Sequence, residues 1–98
     1  MEKNLLLCNL YDCYGNLLTE KQKQYFENYY FNNLTLSEMS ENYNVSRNAI
    51  YNLLKETEKK LFNYEEKLKF YEKKQKIQKI INNLDDKTKE ELERIILD

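Results

Sequence analysis

Apolar residues return along this chain every three or four positions, the spacing of one helix face after another. The first such run predicts a helix over residues 3–14, with Leu6, Leu7, Leu10, Tyr11 and Tyr14 on one side and Gly15 closing it as a C′ residue. Thr19 and Gln22 then form a capping box, opening a second helix from Glu20 to about Asn32. Its aromatics, Tyr25, Phe26, Tyr29, Tyr30 and Phe31, are too broad for a single face. Most are expected in the core with one or two tyrosines at the rim, the functional alternative being a stacking platform for single-stranded nucleic acid. Thr35 and Glu38 make a second capping box for a third helix, and a fourth starts at Arg47 with no strong breaker for some thirty residues. Along it Ile50, Leu54, Thr57, Leu61, Tyr64, Leu68 and Tyr71 alternate at spacings of four and three, a heptad seam. Asn63 is the position at which this helix is expected to break, if it breaks. The early part of the seam is expected to pack on its own domain. The later part, Leu61, Tyr64, Leu68 and Tyr71, is expected to pair with a second copy. After the basic run Lys73–Lys79, residues 82–86 read as a turn with an Asp as N-cap, and Leu92, Ile95 and Ile96 stripe a last helix over about 87–97.

Residues 36–54, LSEMSENYNVSRNAIYNLL, have the make-up of a helix-turn-helix. The unit needs a short helix, a tight turn and a second helix crossing it, with apolar or small residues at the crossing. Met39 and Tyr43 supply the first helix, Val45 the turn, Ile50 and Leu53 the second helix, and Ser40 a small side chain at the close approach. Asn44 suits a left-handed turn residue, and Ser46 is placed to cap a helix that begins at Arg47.

The absence of Pro and the single Gly argue against an all-β fold, so the class is all-α: a helical bundle of five or six helices with a helix-turn-helix and a long heptad-patterned C-terminal helix. A chain of 98 residues divides naturally into a helix-turn-helix domain (1–61) and a long-helix extension with a terminal helix (62–98), the latter serving dimerisation. The net charge of −1 conceals a basic middle. Residues 47–79 carry ten Lys or Arg against five acids, whereas the segments on either side each carry three basic groups against six acidic ones. A basic stretch that begins at the candidate recognition helix suits phosphate attraction.

Candidate chemistry is sparse. There is no His, which removes the usual zinc sets and His-dependent triads, and no phosphate loop or nucleophile–base arrangement. An enzyme is not expected, nor is a cofactor. Cys8 and Cys13, five apart on one helix, are expected as buried, reduced thiols. No apolar run approaches the length of a membrane span, and a cytoplasmic protein is expected.

YGNLLTEKQKQYFENYY, LTLSEMSENYNVSRNAIYNLLKETEKKL and YEEKLKFYEK together resemble the YlxM family of small bacterial helix-turn-helix proteins. The arrangement also looks like region four of bacterial sigma factors. Ser40 stands where Ala or Gly is often found, and Asn44 where Gly is. Because YlxM genes neighbour those of the signal recognition particle GTPase and its receptor, the resemblance implies a regulator or accessory of that pathway.

If the second helix enters a major groove, Arg47, Asn48, Tyr51 and Asn52 reach base edges, Arg47 toward guanine and an Asn toward adenine. Lys55 and Lys59 then contact phosphates, as would Lys60. Two expectations follow: a homodimeric regulator whose helix-turn-helix binds duplex DNA or the structured RNA of the signal recognition particle, or a protein-interaction module that grips the particle's GTPase or its receptor. The weak net basicity favours the second, and the clean motif favours the first.

Overall fold

Four helix starts are capped as their sequences require. Thr19 Oγ1 accepts from Gln22 N at 3.1 Å while Gln22 Oε1 accepts from Thr19 N at 3.0 Å. Thr35 and Glu38 repeat the reciprocal pair at 3.1 and 3.0 Å. Ser46 Oγ accepts from Ala49 N at 3.1 Å, and Asp85 Oδ2 from Thr88 N at 3.1 Å. Each such cap satisfies a backbone N–H that the helix itself leaves unpaired.

In a computed structural model, which describes residues 2–97, the chain is all-α, with helices α1 (Glu2–Tyr14), α2 (Glu20–Tyr30), α3 (Leu36–Tyr43), α4 (Arg47–Leu68), α5 (Phe70–Ile81) and α6 (Asp86–Leu97). A 3₁₀ turn, Gly15–Leu17, joins α1 to α2. Helix α4 is the common wall. Its buried residues Ile50, Leu54, Thr57, Glu58 and Leu61 lie on one side, and α1, α2 and α3 all pack there. Two apolar cores result. One joins Leu7, Leu10 and Tyr14 of α1, Leu18, Phe26 of α2 and Leu61. The other joins Tyr25, Met39, Ile50 and Leu54, and holds the helix-turn-helix together. Fully burying one such Leu or Ile contributes roughly 1.5–3 kcal/mol.

The aromatic cluster at α2 divides between core and rim, but the rim takes Phe31 along with a tyrosine. Tyr25 and Phe26 are buried, Tyr30 is half-buried, and Tyr29 and Phe31 lie at the rim. The Phe26 ring stacks on Tyr11 with centroids 4.6 Å apart and an interplanar angle of 8°.

Three expectations need correction. Gly15 does follow the end of α1, but without the left-handed conformation usual for a C′ glycine, since its φ is not positive. It is buried, and a Cβ there would stand 3.2 Å from the Tyr11 ring, so its role is to let that ring lie flat on Phe26. Helix α4 runs through Asn63 without interruption and ends at Leu68; the break is at Lys69, which is left-handed at φ 53°. The basic run Lys73–Lys79 therefore lies on a separate helix, α5. Finally, Cys8 and Cys13 are free but only half-buried.

The break at Lys69 has its own capping device. Tyr14 Oη donates to Glu65 Oε1 at 2.6 Å and accepts from Phe70 N at 3.0 Å. Glu65 also accepts from Tyr71 N at 3.0 Å and Glu72 N at 3.1 Å. A carboxylate from the preceding helix thus does for α5 what an N-cap side chain does elsewhere, and its charge complements the helix dipole. Glu65→Ala is expected to loosen α5 by about 1–2 kcal/mol. In hydrogen exchange this reads as roughly tenfold or faster exchange at Tyr71, Glu72 and the next turn, with α2 and α3 unchanged.

Burial raises the hydroxyl pKa of Tyr11, Tyr14, Tyr25 and Tyr30, reinforced by Glu27, Glu65, the neighbouring Tyr43 and Glu58 respectively. An unfolded tyrosine ionises near roughly pH 10. Between that value and the higher folded one, the unfolded chain binds fewer protons than the native chain, so stability falls as pH rises. The melting temperature is expected to hold below about pH 10 and to drop steeply above it. Tyrosinate absorbance should show a late class of tyrosines that ionises together with unfolding.

Candidate nucleic-acid interface

The turn between α3 and α4 is held from both sides. Asn44 takes the left-handed conformation at φ 55° and ψ 46°, and its N–H donates to the Ser40 carbonyl. Val45 N donates to the same carbonyl at 3.2 Å, and the Ser40 hydroxyl donates in return to the Val45 carbonyl. Ala or Gly would fit this crossing equally well but could not make the returning bond. The helices then cross over Met39 and Ile50, both fully buried. On the far side Asn28 of α2 donates to the Tyr43 hydroxyl, and the Tyr25 and Tyr43 rings lie 4.4 Å apart. In the Thr35–Glu38 box, the Thr35 backbone and side chain hold the Glu38 carboxyl below its ordinary pKa.

This frame presents one face of α4 outward. Arg47, Asn48, Tyr51, Asn52, Lys55 and Lys59 are all exposed. They succeed one another at steps of one, three and four, so they make a continuous strip about 18 Å long at a rise of 1.5 Å per residue. Arg47 Nη1 lies 3.4 Å from Ser37 Oγ at the start of α3, which joins the two helix N-termini into one surface. Tyr51 is 45% exposed, and the Lys55 ammonium sits 5.3 Å from its ring centroid. Lys55 also pairs with Glu58 at 3.5 Å. Arg47 and Lys59 have no carboxylate within ion-pair distance among the described residues. The acids in the first turns of α2, α3, α5 and α6 are Glu20, Glu38, Glu72 and Asp86, whereas α4 has none there and begins with Arg47. A cation at a helix N-terminus opposes the helix dipole, so its presence favours an anion in front of it.

The four residues expected at a dimer seam are placed differently from one another. Leu61 is fully buried against the chain's own α1 and α2. The Tyr64 ring lies 5.8 Å from that of Tyr14, tilted by 40°, and the Tyr71 hydroxyl accepts from Asn9 Nδ2 at 3.1 Å. Leu68 alone of the four is exposed, at 53%. The same core therefore spans both sides of position 61. Sequence reasoning passed over Ser37, whose only signal is its place in the first turn of α3, and Glu65, whose capping role depends on distant Tyr14.

The remaining surface offers little chemistry. An open cleft of about 610 Å³ between α1, the end of α2 and the start of α3 is lined by Asn4, Leu5, Cys8, Tyr29, Tyr30 and Leu36 among others. Burial, helped by Asp12, pushes the Cys8 thiol up, which keeps it protonated and a poor nucleophile. Among the described residues no cluster of three His, Cys, Asp or Glu could hold a metal, and no helix is long and apolar enough to cross a membrane.

Residues 1–97 match the family described as "Putative helix-turn-helix protein, YlxM / p13 like", UPF0122. UPF0122 protein FN1394 of Fusobacterium nucleatum is 50% identical over 91 residues, covering 92% of this chain and 88% of that protein. A UPF0122 protein of Mycoplasma capricolum is 41% identical over 85 residues, covering 87% and 75%. Another from a Geobacillus strain is 42% identical over 86 residues, covering 88% and 78%.

Ser40→Ala removes the hydroxyl that satisfies the Val45 carbonyl while keeping a side chain small enough for the crossing. The expected loss is about 1 kcal/mol, seen as a few degrees in the melting temperature, with helical content unchanged.

Proposed function

The chain belongs to the YlxM/p13-like helix-turn-helix family, and from that premise we propose that it is a nucleic-acid-binding regulator acting on duplex DNA. The observation that carries this reading is the exposed strip on α4, begun by Arg47 and free of acids in its first turn. Arg47 and Asn48 read base edges, Tyr51 and Asn52 extend the contact, and Lys55 and Lys59 fix the helix on phosphates. Two copies, joined as a homodimer, present two such helices to two half-sites. The resemblance to a family whose genes neighbour those of the signal recognition particle supports expression of that pathway as the process regulated.

A second reading, a non-DNA-binding accessory of the signal recognition particle GTPase, is favoured by the acidic segments on either side of the basic middle. These weaken the positive field that specific DNA binders use.

Fluorescence anisotropy with duplex DNA from upstream of the chain's own gene, across a salt series, separates the two. DNA binding is expected to weaken steeply with salt. Arg47→Ala with Asn48→Ala should lower affinity about 10- to 100-fold, by the worth of one good base contact, without changing the melting temperature. Lys59→Gln should reduce the salt slope by about one and weaken all sequences alike. Absence of DNA binding, with capture of the particle's GTPase or RNA, would replace the first reading by the second.

A further inference from the structure

Helices α5 and α6 form a hairpin that is poorly covered. Ile81 is the one buried residue on α5, and α6 has none among its described side chains. Ile77, Ile80, Leu84 and Ile95 are 42, 66, 39 and 77% exposed. One side of α5 already lies on α1, where Asn9 meets Tyr71, and the described side-chain bond across the hairpin is Gln78 to Glu93 at 2.9 Å. The radius of gyration is 16.4 Å, against about 13 Å for a compact domain of this length, and the long axis measures 52 Å. A helix of twelve residues is too short to persist on propensity alone, and α6 packs on α5 through one side while Ile95 stays open.

We propose that the outer face of the α5–α6 hairpin is the homodimer interface, with α5 of one copy lying on α6 of the other in a two-fold four-helix bundle. Charge selects both the occupant and the arrangement. Helix α5 carries Lys73, Lys74, Lys76 and Lys79 against the single acid Glu72. Helix α6 and its cap carry five acids against three bases. Crossing α5 over the partner's α6 sets an excess of cations against an excess of anions, and two-fold symmetry repeats the match. Crossing α5 over α5 would instead oppose lysine runs. The exposed isoleucines close between the helices, in the way bundle cores are built. This interface deepens the dimeric part of the reading above, yet it is measured without nucleic acid, so failure of DNA binding leaves it standing.

Sedimentation equilibrium of the full chain at micromolar concentration tests it. The wild-type chain is expected at twice its 12.1 kDa mass. Ile80→Glu with Ile95→Glu should give the single mass, with circular dichroism showing that the helices remain. Reversing Lys73 and Lys76 to Glu, or Glu90 and Glu91 to Lys, should each favour monomer. Mixing these two charge variants should restore the double mass, because both hairpin crossings become attractive again. A monomeric wild-type chain overturns the proposal, and so does a dimer that survives Ile80→Glu with Ile95→Glu. Charge variants that dimerise as well alone as when mixed overturn the α5-on-α6 arrangement.

Discussion

Burial of one stripe of α4 is the constraint that every other element answers to. Ile50 and Leu54 close the core beneath the turn, while Leu61, two turns further on, closes the core against α1 and α2. Because α4 is a single unbroken helix over 22 residues, the angular position of its buried stripe also fixes its opposite face. Arg47, Asn48, Tyr51 and Asn52 are exposed because Ile50, Leu54, Thr57 and Leu61 are not. Packing and presentation are therefore one variable.

Apolar contact alone would let the helices slide along this stripe, since dispersion and hydrophobic burial have little direction. Hydrogen bonds from tyrosines to carboxylates supply the direction. Tyr30 of α2 donates to Glu58 at 2.7 Å and Tyr14 of α1 to Glu65 at 2.6 Å. The two acceptors are seven residues apart on α4 and so occupy the same side. Tyr11 donates to Glu27, tying α1 to α2. Glu58 is nearly buried, and Lys3 at 3.7 Å and Lys55 at 3.5 Å offset its charge. Such charge-assisted bonds are stronger than neutral ones, and each also sets the height at which two helices meet.

How much of this was legible in the sequence depends on how far each signal reaches. The caps at Thr19, Thr35, Ser46 and Asp85, and the left-handed Asn44, involve groups within five residues and were readable. So was the exposed strip from Arg47 to Lys59. The heptad seam was also read, but periodicity says that a face is buried and is silent on what covers it. Leu61 met the chain's own first helix. The break at Lys69 was missed because Lys has no preference for that conformation, and its stabilising partner Tyr14 lies far back in the sequence. Gly15 marks the end of α1 in the sequence, but its small size answers to the flat Tyr11 ring, a contact no local pattern reveals.

The left-handed residue at Lys69 also resets helical phase. Each residue added to a continuous helix turns everything beyond it by about 100°, so a length change between Arg47 and Leu68 would swing the outward strip away from the core stripe. Beyond Lys69 that accumulation starts afresh. Insertions and deletions in α5 and α6 can then lengthen, shorten or re-aim the tail without changing the direction in which Arg47 points. The tail can thus change its length and direction while the exposed strip on α4 keeps one orientation.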